Sequence, residues 1–294
     1  MRSRLAIGAT LLLALTIPAH AETDWSAVGK ALGRSGTEAA GGVYRVGLPR
    51  SDLKVTLDGV QLKPALALGS WLAFKPMDDR DAMVMGDLVL TQSEVNPVMT
   101  KLIESGIEVT ALHNHLLRSE PATMYMHVLG HGDPVNLAAA LHIALQQSGT
   151  PLSEAPASPP ATGIDLDTAA IDQALGHKAK VNGGVYQISI PRAEAIKDGG
   201  MDVPEAMGSA IAINFQPTGN GKAAITGDFV LIASEVNPVL RALRESGIEV
   251  TAVHNHMLDD DPRLFFMHFW ANNDVNKLTQ GLKSALDKVN VRHS

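Results

Sequence analysis

Two hydrophobic rhythms run along this chain, and the switch between them marks its elements. Short apolar or alternating runs at 43–48, 53–57, 68–74 and 83–90, broken by Gly, Pro and Asp, predict strands, because successive side chains on a strand point to opposite faces. Helical spacing appears at 25–32, capped by Asp24 or Thr23 and stopped by Gly33. It returns after Asn96-Pro97, read as an N-cap followed by proline at the first helical position; Val98, Leu102 and Ile103 share one stripe and Gly106 ends it. A strand at 107–115, a polar turn at Ser119-Glu120-Pro121, a strand at 122–129 and a helix from Asp133-Pro134 to Gly149 follow. This order predicts an α+β fold with a mainly antiparallel or mixed sheet and helices packed on one face.

The series is then repeated. Residues 86–133 and 227–274 align without a gap at an offset of 141, with about 27 of 48 positions identical. Gly41-Gly42-Val43-Tyr44 recurs as Gly183-Gly184-Val185-Tyr186, Pro49-Arg50 as Pro191-Arg192, and a helix from Asp167 or Thr168 to Gly176 matches the first one. The chain is a tandem duplication of one domain. Gln146 to Gly163, rich in Pro, Ser, Ala and Thr, reads as the connection. The boundaries drawn are 1–21 signal peptide, 22–148 first repeat, 149–163 linker and 164–294 second repeat, each repeat expected to be close to self-contained.

The signal peptide rests on Arg2 and Arg4, the apolar run from Leu5 to Ile17, and the small-x-small Ala19-His20-Ala21, which predicts cleavage after Ala21 and a periplasmic or secreted product. No later stretch has the roughly 20 apolar residues that a spanning helix needs. A net charge of −7 gives no basic footprint for nucleic acid. The absence of Cys excludes disulfides, thiol catalysis and a lipid-anchored N-terminal Cys, so any metal site must use His and carboxylates. No P-loop, dinucleotide fingerprint or GxSxG elbow is present, so no nucleotide cofactor is expected.

The candidate chemistry lies in the histidines. Strict alternation along 107–115 puts Ile107, Val109, Ala111, His113 and His115 on one face; Ile248, Val250, Ala252, His254 and His256 repeat it. A hairpin centred near Glu120 sets His113 opposite His127, and one near Asp261 sets His254 opposite His268. Two separate sites are expected, His113, His115 and His127 in one and His254, His256 and His268 in the other, with zinc or copper as the ion. Asp87 and Asp228 are candidates to complete or orient each set, and Glu94 and Glu235 are candidate general bases if the metal activates water for a hydrolysis. His131 has Asn272 as its counterpart and is the weakest candidate. Two other readings stay open: a non-catalytic envelope module binding glycan or peptide with the same faces, and a structural histidine network. Phe265, Phe266, Phe269 and Trp270 around His268 are read as core rather than as a stacking surface.

The motifs GDxVLxxSEVNP and ESGIEVTAxHNH, with the following MH, resemble the LppY/LpqO family of exported bacterial proteins over most of both halves. That resemblance implies export and domain identity, and brings no activity or catalytic residue with it. The family's mycobacterial namesakes are lipoproteins; this chain lacks the Cys that would carry a lipid anchor.

Overall fold

The computed structural model describes residues 23–78, 80–153 and 163–292; the expected signal peptide and residues 154–162 of the expected linker lie outside the described residues. The first repeat runs α1 (Trp25–Leu32), β1 (Thr37–Ala39), β2 (Val43–Pro49), β3 (Thr56–Leu57), β4 (Val60–Gln61), α2 (Pro64–Ala67), β5 (Gly69–Pro76), β6 (Ala82–Thr91), α3 (Gln92–Glu104), β7 (Glu108–His113), β8 (Thr123–Gly132) and α4 (Pro134–Leu145). The second runs α5 (Thr168–Leu175), β9 (Lys180–Asn182), β10 (Val185–Ile190), β11 (Lys197–Asp198), β12 (Met201–Asp202), a 3-10 turn (Glu205–Met207), β13 (Ile211–Gly219), β14 (Lys222–Ile232), α6 (Ala233–Glu245), β15 (Glu249–His254), β16 (Asp260–Asp261), β17 (Leu264–Asp274) and α7 (Val275–Leu286). Each repeat forms one six-stranded sheet, ordered β1-β2-β5-β6-β8-β7 and β15-β17-β14-β13-β10-β9, and every ladder in both is antiparallel. The expected fold class is the observed one.

The alternation along β6 shows how the layers stack. Val84, Leu88 and Leu90 join Val28, Leu102 and Leu141 in the core beneath the helices. Met83 and Met85 join Val43, Ala73 and Leu129 in the apolar cluster of the second repeat, and Val89 packs in a cluster with Ala224 and Trp270. The two sheets therefore meet through their inner faces, with helices outside. α2 touches β13 and β14, and the Glu205–Met207 turn touches β2 and β5, so each repeat covers part of the other. Each half keeps its own sheet and helix-side core, and the two also share an apolar interface: separation would expose large apolar side chains worth roughly 1.5–3 kcal/mol each when buried.

The helix after β6 also begins earlier than the sequence reading placed it. Asn96 and Pro97 lie inside α3 rather than at its cap. The start is set by the Glu94 carboxylate, which accepts from Thr91 N at 2.7 Å, and by Glu235 on Ile232 N at 2.9 Å in the second copy. The caps at Asp24, Asp133, Asp167 and Asp274 form as expected, each carboxylate accepting from the backbone three residues on.

Candidate metal centre

A β-bulge aims the histidines. In the β7–β8 ladder Val109 pairs with Val128 and Ala111 with His127, so Thr110 is an extra residue and the facing of β7 reverses across it. Val109 packs with the helix-side core, whereas His113 turns to the inner face. The second copy makes the same shift between Val250 and Ala252. Strict alternation is therefore corrected, as is the register: His113 pairs with Tyr125 and His254 with Phe266, while His127 and His268 lie opposite Asp87 and Asp228. A Cβ on Gly227 would stand 1.9 Å from the Ala212 carbonyl oxygen, so the ladder beside Asp228 closes only on glycine.

Because both inner faces carry histidines, the two expected sites become one. The His113 and His254 rings stack at 3.5 Å between centroids, His115 on His268 at 3.6 Å and His127 on His256 at 3.7 Å. The outer flanks match as well, His115 on Tyr125 and His256 on Phe266, each at 3.4 Å. A pseudo-two-fold axis thus passes between His113 and His254. Reciprocal bonds clamp it: Thr110 Oγ1 donates to the His256 carbonyl at 2.5 Å and Thr251 Oγ1 to the His115 carbonyl at 2.6 Å. The two histidine sets lie in different repeats, as expected, but the sheet-on-sheet packing brings them into contact.

The polar atoms of the cluster are short of partners. Among the described residues, the buried side-chain N and O atoms without a protein hydrogen bond are Asp87 Oδ1, Asp228 Oδ1, both ring nitrogens of His113, and Nε2 of His115, His127, His254, His256 and His268. All belong to the six histidines and the two aspartates. Each such atom costs about 1–3 kcal/mol when left unpaired, and a cluster that gathers all of them offers donors that a bound cation could satisfy. One ligand atom from each of His113, His254, His256 and His268 lies within 4.8 Å of the others. A cation held tetrahedrally at about 2.0–2.1 Å by imidazole nitrogen has its ligand atoms about 3.4 Å apart, so the widest pair would close by up to about 1.4 Å on binding.

Burial keeps these rings neutral. It holds His254 at about 4, aided by no neighbour and opposed by the Asn255 carbonyl, and His268 at about 3, with His254 adding to the effect. His113, His115, His127 and His256 are also pushed well below the ordinary imidazole value by burial and then by the surrounding imidazoles. Burial raises Asp87 to about 8 against the opposing charge of Arg45, and raises Asp228, which also feels Asp87. Neutral imidazoles offer lone pairs to a cation without first losing a proton.

Glu94 and Glu235 are elsewhere. Glu94 accepts from Arg50 at 2.8 and 3.1 Å and from Gly149 N at 2.7 Å; Glu235 accepts from Arg192 at 2.7 and 3.1 Å and from Asn290 N at 2.9 Å. Each ties a helix start to a buried arginine, and the role of general base is withdrawn for both. His131 is exposed on β8, opposite Met83, and takes no part in the cluster. Phe266, Phe269 and Trp270 are core, Trp270 donating to Asp58 at 3.0 Å. Sequence reasoning missed Thr110, Thr251 and Arg45. Arg45 lies over Trp71 at 4.1 Å and donates to the Ala206 carbonyl, which places a cation on the Asp87 side of the centre. A cavity of about 20 Å³, room for about one water, adjoins the centre between Trp71, Thr110, His127, Met207 and His256.

A family model described as Domain of Unknown Function (DUF1259) matches residues 26–147 and again 169–288. No curated protein matches the sequence. Among solved structures, the chain is similar at 10% identity to a trimeric bacterial microcompartment shell protein, PduB, over 86% of this chain and 89% of that one, with a TM-score of 0.22. EtuB from Clostridium kluyveri gives 10% identity over 86% and 88%, with a TM-score of 0.20. At such scores these likenesses carry no argument about assembly or function.

Proposed function

The chain belongs to this DUF1259 family through both of its repeats, and we propose that it binds a transition-metal ion, zinc or copper, in one histidine centre shared between them. The carrying observation is that every buried, unpartnered side-chain nitrogen or oxygen among the described residues belongs to that one cluster. Imidazole-rich sets suit zinc and copper; magnesium and calcium take oxygen donors. Burial of the rings and a neighbouring cavity of about 20 Å³ favour metal holding, or chemistry on a species about the size of water, over recognition of a glycan or peptide. With Glu94 and Glu235 committed to arginines, a hydrolytic reading has Asp87 and Asp228 as the carboxylates beside the histidines. Export after cleavage near Ala21, and kinship with the LppY/LpqO proteins, belong to the same proposal and rest on the N-terminal sequence and the repeated motif. Elemental analysis of protein purified without a His tag tests the reading. Stoichiometric zinc or copper is expected, and a metal-free protein that takes up neither ion on addition overturns it.

A further inference from the structure

Building on that reading, we infer that the ion is a cross-link between the repeats, held by three histidines of the second repeat and by His113 alone from the first. The four side chains whose ligand atoms converge within 4.8 Å are His113 on β7, His254 on β15, His256 in the loop that follows it, and His268 on β17. Two of them are already oriented as ligands. His254 Nδ1 lies 3.0 Å from the Asn255 carbonyl and His268 Nδ1 lies 3.0 Å from the Gly227 carbonyl. Each ring therefore donates from Nδ1 and keeps the Nε2 lone pair for an ion, which is how metal-ligating imidazoles are usually fixed. Nε2 of both, Nε2 of His256 and both nitrogens of His113 are buried and unpartnered. Nε2 of His115 and of His127 is unpartnered too, but neither joins the converging group; their rings lie against His268 at 3.6 Å and His256 at 3.7 Å and back those ligands.

The three-to-one division has a mechanical consequence. Four imidazoles complete the tetrahedral shell that zinc takes in structural sites, whereas a zinc that activates water has three protein ligands and an open position. The second repeat supplies three ligands by itself, and the fourth has to cross the interface. It crosses where β7 and β15, the edge strands of the two sheets, touch one another. There the His113 and His254 rings stack at 3.5 Å, Thr110 Oγ1 donates to the His256 carbonyl at 2.5 Å and Thr251 Oγ1 to the His115 carbonyl at 2.6 Å. Without an ion this seam holds buried nitrogens that have no partner, so it opens more readily than the apolar interface around it; an ion satisfies the four that converge. Occupancy of the centre therefore sets how firmly β7 and β15 are held together, while the apolar contacts of Met83, Met85 and Val89 hold the sheets in either state.

The test is hydrogen exchange of the full chain, stripped of metal by chelator and then titrated with zinc, followed in residues 107–116 and 248–257. In the wild type, zinc at about 100 times Kd is expected to slow exchange through opening of both segments by about 100-fold. His113→Ala is expected to weaken zinc binding on the order of 100-fold or more, since loss of a direct ligand exceeds the effect of losing an outer-shell partner. Once loaded at higher zinc, the variant should slow 248–257 and leave 107–116 at its zinc-free rate. Wild-type zinc affinity in the variant, or slowing of both segments, overturns the cross-link and leaves a metal centre standing. Zinc-edge X-ray absorption of the loaded wild type decides if the variant does not fold. Four imidazole nitrogens are expected, a number that requires the first repeat because the second contributes three histidines to the cluster; three or fewer overturns the inference. No uptake of zinc overturns it as well, and no uptake of copper either overturns the metal reading itself.

Discussion

Replacing His113 by Leu should stabilise the metal-free chain, and saturating metal should then take about 2.7 kcal/mol off that advantage. Both His113 nitrogens are buried and unpartnered. At about 1–3 kcal/mol for each unsatisfied atom, removing them should stabilise the metal-free chain by roughly 2–6 kcal/mol, reduced by up to about 1.5 kcal/mol for imperfect repacking of a side chain of similar size. At about 2–4 °C per kcal/mol, the melting temperature in chelator should rise by a few degrees or more. With zinc or copper at about 100 times Kd, the wild type gains about 2.7 kcal/mol from binding, an increment that the variant forfeits. Calorimetry of both proteins, in chelator and in excess metal, reads the advantage and its reduction directly. A variant that melts below wild type in both conditions would show that the ring serves packing alone. One that melts above it in both, by the same amount, would show that no metal is bound.

Glu94→Ala should cost about 1.5–3 kcal/mol, because Arg50 loses one of its two carboxylates and keeps Asp52 at 2.8 and 2.9 Å, yet leave metal content unchanged; loss of metal from the folded variant would return Glu94 to the site. Residues 23–148 expressed alone should associate, since Val43, Met83, Met85 and Leu129 lose their cover, and sedimentation showing a stable folded monomer would contradict the shared interface. In the metal-free chain His254, held at about 4, binds fewer protons folded than unfolded between there and about 6.5, so its contribution to stability falls as pH falls across that window. His254→Leu should therefore lose about 1.4 kcal/mol less per pH unit than wild type over pH 6 to 4.5 in urea titrations, and parallel slopes would refute the buried neutral state. The comparison between variants is needed because Asp87, raised to about 8, acts in the opposite direction, favouring the fold as pH falls.

The duplication, the antiparallel sheet and the six histidines were legible because each leaves a local signature: a fixed offset, a period of two, an HxH pair with a later His. What the sequence did not show is non-local. Nothing in Ile107 to His115 marks Thr110 as the residue that two-for-one pairing pushes out of the ladder, since the bulge is chosen by the partner strand β8 and by the reach of Thr110 to the His256 carbonyl. The merging of two sites into one depends on sheet-on-sheet packing, which alternation hints at only through the apolar inner residues Met83, Met85 and Val89. Glu94 was misread although Thr91-Gln92-Ser93-Glu94 carries the spacing of a capping box; Asn96-Pro97, a strong signal five residues into the helix, outweighed it.

The pseudo-two-fold axis between His113 and His254 has a consequence for how this centre can vary. In a dimer of identical subunits every substitution near such an axis is made twice, so its effects double and the halves stay alike. Here both halves belong to one polypeptide, and a single codon alters one side while its mirror position keeps its residue. The centre already shows this freedom: the ring flanking His115 is Tyr125, anchored to the Ala67 carbonyl at 2.7 Å, while the ring flanking His256 is Phe266, which has no hydroxyl to anchor. Arg45 in one copy stands where the other has Gln187. Covalent fusion thus lets one half be tuned in charge and rigidity while the other keeps the frame.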